Sequence, residues 1–202
     1  MFLTLTVSAL PVYAHGTVDQ KQESFVGAAA ILVYSPVGQE FVPSRSPLLA
    51  VDVLIDCMRP DLVDDTLTVN IRESSISGTI LGSVSQLVAA FEGSLRWFHF
   101  DLPSPVDLTP GSTYVIELVA TKGTFGWAYY GVVGEDIYPL GRGITSGIPD
   151  VSADWTFRTY APSPLGGSVT PMNMIEVLSP WIGLASLAGI VVVVRKKQKP
   201  KE

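Results

Sequence analysis

Thr66-Leu67-Thr68-Val69-Asn70-Ile71-Arg72 is the stretch that decides the fold. Leu67, Val69 and Ile71 fall on one side of an extended chain. Thr68, Asn70 and Arg72 fall on the other, because successive side chains of a strand point to opposite faces. Such alternation marks a strand with one dry face and one wet face. The same signature recurs on both sides of it. Residues 113–119 alternate, with Tyr114, Ile116 and Leu118 on one face. Residues 25–34 form an apolar first strand, 49–57 are β-branched and 95–100 are aromatic-rich. Residues 79–82, 86–91, 125–130 and 154–160 complete the set. Turn residues separate the runs: Ser35-Pro36, Arg59-Pro60-Asp61, Ser77-Gly78, Glu92-Gly93, Thr109-Pro110-Gly111 and Lys122-Gly123. No segment among them has helical periodicity, which excludes a parallel α/β architecture with its crossover helices. Roughly eight or nine short strands at this spacing predict an all-β, jelly-roll-like β-sandwich over residues 25–160.

The 202 residues are 47% hydrophobic but only 16% charged, below the usual quarter. Part of the apolar content is predicted to sit in membrane. Residues 174–194 carry a single charge, Glu176. As a helix at ~1.5 Å per residue they would span roughly 31 Å, close to the hydrocarbon thickness of a bilayer. Asn173 can cap the N-terminus, with Glu176 completing a capping-box-like pair. Pro180 is tolerated in membrane helices, and Trp181 sits at the interface if the helix begins at Ser179-Pro180. Arg195, Lys196, Lys197, Lys199 and Lys201 follow at once. A soluble core helix would keep a polar face. This one reads as a single transmembrane α-helix with a stop-transfer signal, and the positive-inside rule puts the tail, 195–202, in the cytoplasm.

At the other end, residues 2–10 are apolar with small hydroxyls and Pro11 breaks the run. Val12 and Ala14 stand at the −3 and −1 positions of a cleavage site. Segment 1–14 therefore reads as signal-like although the usual basic n-region is missing; the alternative is a buried first strand. Residues 15–24 form a lead and 161–172 a Pro/Gly linker. The expected location is the cell membrane, single-pass, with the β-domain extracytoplasmic.

Net charge is −6, of which the last eight residues contribute +4, leaving −10 on residues 1–194. An acidic body speaks against nucleic acid as a partner, because that needs a basic surface to displace counterions. The single cysteine, Cys57, cannot form an internal disulfide and is expected in the core.

The order of motifs resembles a family of prokaryotic, archaeal-type surface proteins with a galactose-binding-like "choice-of-anchor" jelly-roll domain and a C-terminal transmembrane anchor. The matching pieces are Gln39-Glu40-Phe41-Val42-Pro43, residues 48–54, LTVNIRE (67–73), LTPGSTYVIEL (108–118) and DWTFRTY (154–160). Gly166-Gly167, Pro171, Asn173 and Pro180-Trp181 before an apolar helix and basic tail resemble the anchor. The resemblance implies fold and anchoring, and says almost nothing about ligand.

Three kinds of chemistry have candidate residues. For catalysis there are two histidines, His15 and His99, no G-x-S-x-G elbow, and no second histidine or cysteine close to either. No enzyme activity is expected. Gly141-Arg142-Gly143 is no phosphate loop, since no helix follows it. For metal, Asp61, Asp64 and Asp65 cluster in one loop after Asp56, a set of oxygens that suits calcium; Asp is equally an ordinary turn residue. Glu135-Asp136 is a weaker pair. For sugar, Trp127, Tyr129, Tyr130, Tyr138 and Trp155 lie in the C-terminal half. Alternation puts Trp127 and Tyr129 on one face and Tyr130 on the other. Aromatic rings usually fill cores, which is the expectation for Trp97, Trp155 and Phe157. Trp127, Tyr130 and Tyr138 are the ligand-binding candidates. The leading expectation is a membrane-anchored binding or adhesion module for polysaccharide or another envelope component. Its rivals are a structural envelope protein without a discrete ligand and an extracellular hydrolase.

Overall fold

The computed structural model describes residues 16–59, 63–93 and 95–163. The signal-like segment, His15, Asp61, residues 164–172 of the linker, the predicted span 174–194 and the basic tail lie outside the described residues. Among the described residues no helix is long and apolar enough to cross a membrane.

The described chain forms thirteen strands: β1 (Thr17–Gln22), β2 (Gly27–Ala30), β3 (Val37–Phe41), β4 (Leu48–Cys57), β5 (Asp65–Glu73), β6 (Ile80–Val88), β7 (Arg96–Val106), β8 (Tyr114–Val119), β9 (Phe125–Tyr130), β10 (Gly143–Thr145), β11 (Ile148–Asp150), β12 (Asp154–Trp155) and β13 (Phe157–Ala161). They build two antiparallel sheets. One runs β1-β13-β4-β9-β12, with β2 also on β9 and β7 also on β4; the other runs β11-β10-β3-β8-β5-β6.

The sheets pack face to face as a β-sandwich, for the reason the alternation implied. Leu67, Val69 and Ile71 of β5 are fully buried, as are Ile116 and Leu118 of β8. They join Val51, Val53 and Ile55 of β4 and Phe125 and Trp127 of β9 in one hydrophobic cluster drawn from both sheets. Phe41 of β3 meets Phe157 of β13 across the interface at 6.3 Å between ring centres. Cys57 is buried.

Several boundaries differ from the pattern-based expectation, each for a physical reason. The domain starts before residue 25, because β1 pairs antiparallel with β13. β1 is polar and largely exposed, as suits an edge strand, so alternation could not reveal it. Arg45 secures it, donating to the carbonyls of Thr17 and Val18, to Asp19 Oδ1 and to the Pro162 carbonyl. Residues 25–34 do not form one strand: β2 is short, and the chain turns at 31–34. Segments 79–82 and 86–91 merge into β6, paired along β5. β10 and β11 form a hairpin around Ser146-Gly147, both with positive φ (52° and 78°). That is the two-residue turn whose twist matches the flanking strands.

Candidate functional site

Two places on the domain gather polar and aromatic side chains. The first is a cleft of about 250 Å3 at one edge of the sandwich, lined by Ala29, Tyr34, Tyr129, Thr145, Asp150, Ala153 and Trp155. It opens where β2, β9 and β12 of one sheet approach the β10–β11 hairpin of the other. The backbone closes this arrangement. Ser146 N donates to the Tyr34 carbonyl at 2.8 Å, and Gly147 N donates to the Pro36 carbonyl at 2.8 Å. Those two bonds hang the 31–36 turn, and with it Tyr34, on the hairpin.

The aromatic wall is rigid. Trp155 stacks on Trp127 at 5.2 Å and touches Tyr129 at 5.5 Å. Its indole N–H donates to the Ile144 carbonyl. Its backbone N–H donates to Gln39 Oε1 at 2.7 Å. Gln39 is an inward-pointing amide on β3, and its Nε2 donates to Asp154 Oδ1. Asp154 Oδ2 accepts the Tyr138 N–H. At 3% exposure, burial is the main force on this carboxyl and pushes it up to about 6, with help from Asp136 and against the bonds from Gln39, Tyr138 and Ile137. An ionisable group therefore lies directly behind the Trp155 platform. On the rim, Asp150 Oδ1 accepts both the N–H and the hydroxyl of Ser152, and these bonds hold the carboxyl below its ordinary range.

The second place is the outer face of the seven-stranded sheet. Register aligns Lys21 of β1, Arg158 of β13, Asp52 of β4 and His99 of β7 in one transverse row. Asp52 is the hub. Its Oδ1 meets His99 Nδ1 at 2.5 Å, and its Oδ2 accepts from Tyr160 at 2.5 Å and from Arg158 at 3.4 Å. Arg158 also bonds Glu23 and lies 4.0 Å from the Trp97 ring centre. Burial opposes charge on His99, but Asp52 and Asp101 outweigh it and raise its pKa. The geometry is not that of a nucleophilic triad. His99 Nε2, where a nucleophile would stand, faces the Asp101 carboxylate at 3.1 Å. Cross-strand opposite-charge pairs of this kind stabilise a sheet.

Several candidates from the sequence are corrected by their surroundings. Trp127 is 0% exposed and its indole N–H donates to the Thr156 carbonyl, so it has no face for a ligand. Tyr138 is 5% exposed and packs edge-on against Phe157 at 5.1 Å. Its hydroxyl bonds Gln20 Oε1 and Val42 N, and burial pushes it up to about 12. Its Gly/Pro-rich loop suggested exposure, but the ring plugs the sandwich. Tyr130 is not contradicted in this way: it stays partly exposed, bonds Glu135 through its hydroxyl, and lies on the opposite face of β9 from the cleft, so it is not brought together with the other two. Trp97, expected in the core, is on the outer face beneath Arg158.

Asp64 and Asp65 turn to different protein donors. Fully buried Asp65 accepts from Thr121 N, Thr121 Oγ1 and Lys122 N. Asp64 Oδ1 accepts from Ala90 N. Among the described residues no group of three or more histidines, cysteines or carboxylates is placed to hold a metal ion. Pattern reading missed Tyr34, Thr145 and Asp150; the Ser146-Gly147 pair between Ile144-Thr145 and Ile148 was the turn signal available for the last two. No protein-family model matches the chain, and no curated protein matches it significantly.

Proposed function

We propose that this chain is a membrane-anchored cell-surface binding module of the galactose-binding-like, jelly-roll type, and that the edge cleft is its ligand site. Anchoring rests on the apolar run 174–194 and the five basic residues after it. The observation that carries the binding reading is the cleft itself: the Tyr34 and Tyr129 rings, a hydroxyl and a carboxylate around one small hollow, with buried Trp155 as its floor. Specific ligand sites combine apolar and aromatic walls with a few placed polar groups. The volume is below the ~300 Å3 at which drug-sized sites begin, so one sugar ring or one head group of a polysaccharide or other envelope component is the unit that fits.

A glycan array probed with the full-length protein tests this reading. Binding that is lost in Tyr34→Ala supports it. Failure to retain any envelope polysaccharide would leave the structural-protein reading ahead. Location is tested separately. Protease added to intact cells should digest the β-domain, and Ile190→Asp with Val192→Asp should free the protein from membranes.

A further inference from the structure

Among the described residues, the lining of the edge cleft has one sign of charge. Asp150 is the one ionisable acid or base there apart from the tyrosines, and no described lysine, arginine or histidine lines it. A neighbouring hollow is lined by Gly134, Glu135, Asp136, Val151 and Ser152. The two hollows draw on the same 150–153 segment, but Glu135 of the second bonds Tyr130, on the face of β9 turned away from the cleft. Arg142, the nearby cation, is committed to Glu40 through two bonds of 2.8 Å.

From this arrangement we infer that the edge cleft selects a protonated amine, taken between the Tyr34 and Tyr129 rings and the Asp150 carboxylate. This rests on the reading that the cleft is the ligand site. Three observations support it. Aromatic faces are negative at the centre and attract cations, most strongly where water is excluded. Tyr34 is 41% exposed, so it stands as an outer wall that an incoming group can lie against. The Asp150 carboxylate is kept ionised by Ser152 and supplies the counter-charge. The same features disfavour carboxylated or phosphorylated sugars, which would meet the Asp150 carboxylate with no basic partner among the described lining residues. The ammonium could be carried by an amino sugar or by a lysine side chain of an envelope protein, and the cleft recognises what these share.

The test is a fluorescence or NMR titration of the full-length protein with glucosamine, N-acetylglucosamine and Nα-acetyl-lysine amide. Glucosamine and N-acetylglucosamine share a ring, but acetylation removes the charge. The expected result is about tenfold tighter binding of glucosamine, the size of a partly desolvated cation–π contact. Asp150→Asn keeps the oxygen that accepts from Ser152 and removes the charge. It should weaken glucosamine binding about fivefold or more, as should Tyr34→Ala, whereas Tyr34→Phe keeps the ring face and should stay within about twofold. The lysine amide assigns the source: tighter binding than glucosamine indicates a protein partner, weaker binding an amino sugar. Equal affinity for glucosamine and its acetylated form would overturn the ammonium inference while leaving the cleft as a neutral-sugar site. Amine binding unaffected by Tyr34→Ala and Asp150→Asn would place the site elsewhere and overturn both readings. Absence of binding to all amines would also overturn the inference.

Discussion

Asp154 should give this protein a stability that rises as pH falls from neutrality, the reverse of ordinary acid denaturation. The carboxyl is 3% exposed between the sheets. Burial, as the largest cause, moves it from its ordinary 3.8 to about 6. A carboxyl whose folded value exceeds its unfolded value destabilises the fold when ionised. Between those two values the folded state binds more protons, and stability increases as pH drops. The full difference between protonated and ionised Asp154 is about 3 kcal/mol. Between pH 8 and pH 5 the gain is about 1.4 kcal/mol, which at a urea m-value near 2 kcal/mol/M moves the midpoint by about 0.7 M. The assay is urea unfolding followed by tryptophan fluorescence at both pH values, for the natural chain and for Asp154→Asn. Comparing the two isolates Asp154 from other groups. The variant should lose about 1.4 kcal/mol of the pH-dependent difference. A variant with the same pH dependence as the natural chain would refute the claim that this buried carboxyl is its source.

His99 has the same sign: its raised pKa contributes stability that is present below 6.5 and is lost as pH rises through its folded value. Asp52→Asn should lower the His99 pKa, read from its ring resonances by NMR. Asp19 and Glu23 act oppositely. Burial of Asp19 is outweighed by Ser44 and Arg45, and Glu23 is lowered by Lys21 and Arg158; stability from both is lost as pH falls below their ordinary values. Trp155→Ala should cost about 3 to 5 kcal/mol in chemical unfolding, and Tyr138→Ala a loss approaching that, as buried rings do. Tyr130→Ala should cost far less. Gly143→Ala would bring a methyl within 2.2 Å of the Ala153 carbonyl oxygen, so β10 must move off β12. A lower melting temperature and weaker ligand binding together are the expected outcome, since Ala153 and Thr145 both line the cleft.

The strands that bury one face and expose the other were legible in the residues. The period of two is local: Leu67, Val69 and Ile71, or Tyr114, Ile116 and Leu118, announce themselves without knowledge of their partners. So did the buried Cys57. The acidic body and the apolar run followed by a basic tail are equally properties of the chain as written. What alternation could not carry is anything that depends on which strand lies next to which. β1 has no apolar side to display, and its place in the sheet comes from pairing with β13 and from Arg45. Trp127, Tyr138 and Trp97 look alike as aromatic residues in the sequence; only the packing of two sheets puts the first two in the core and the third outside under Arg158. Asp154 and Gln39 read as ordinary polar residues until opposite sheets bring them together in a dry interior, where burial rather than sequence neighbours sets the carboxyl's pKa. Tyr34, Thr145, Asp150 and Trp155 are spread across more than a hundred residues, and no spacing joins them. They form one cleft because two backbone bonds tie the 31–36 turn to the β10–β11 hairpin, which is a fact of the tertiary structure alone.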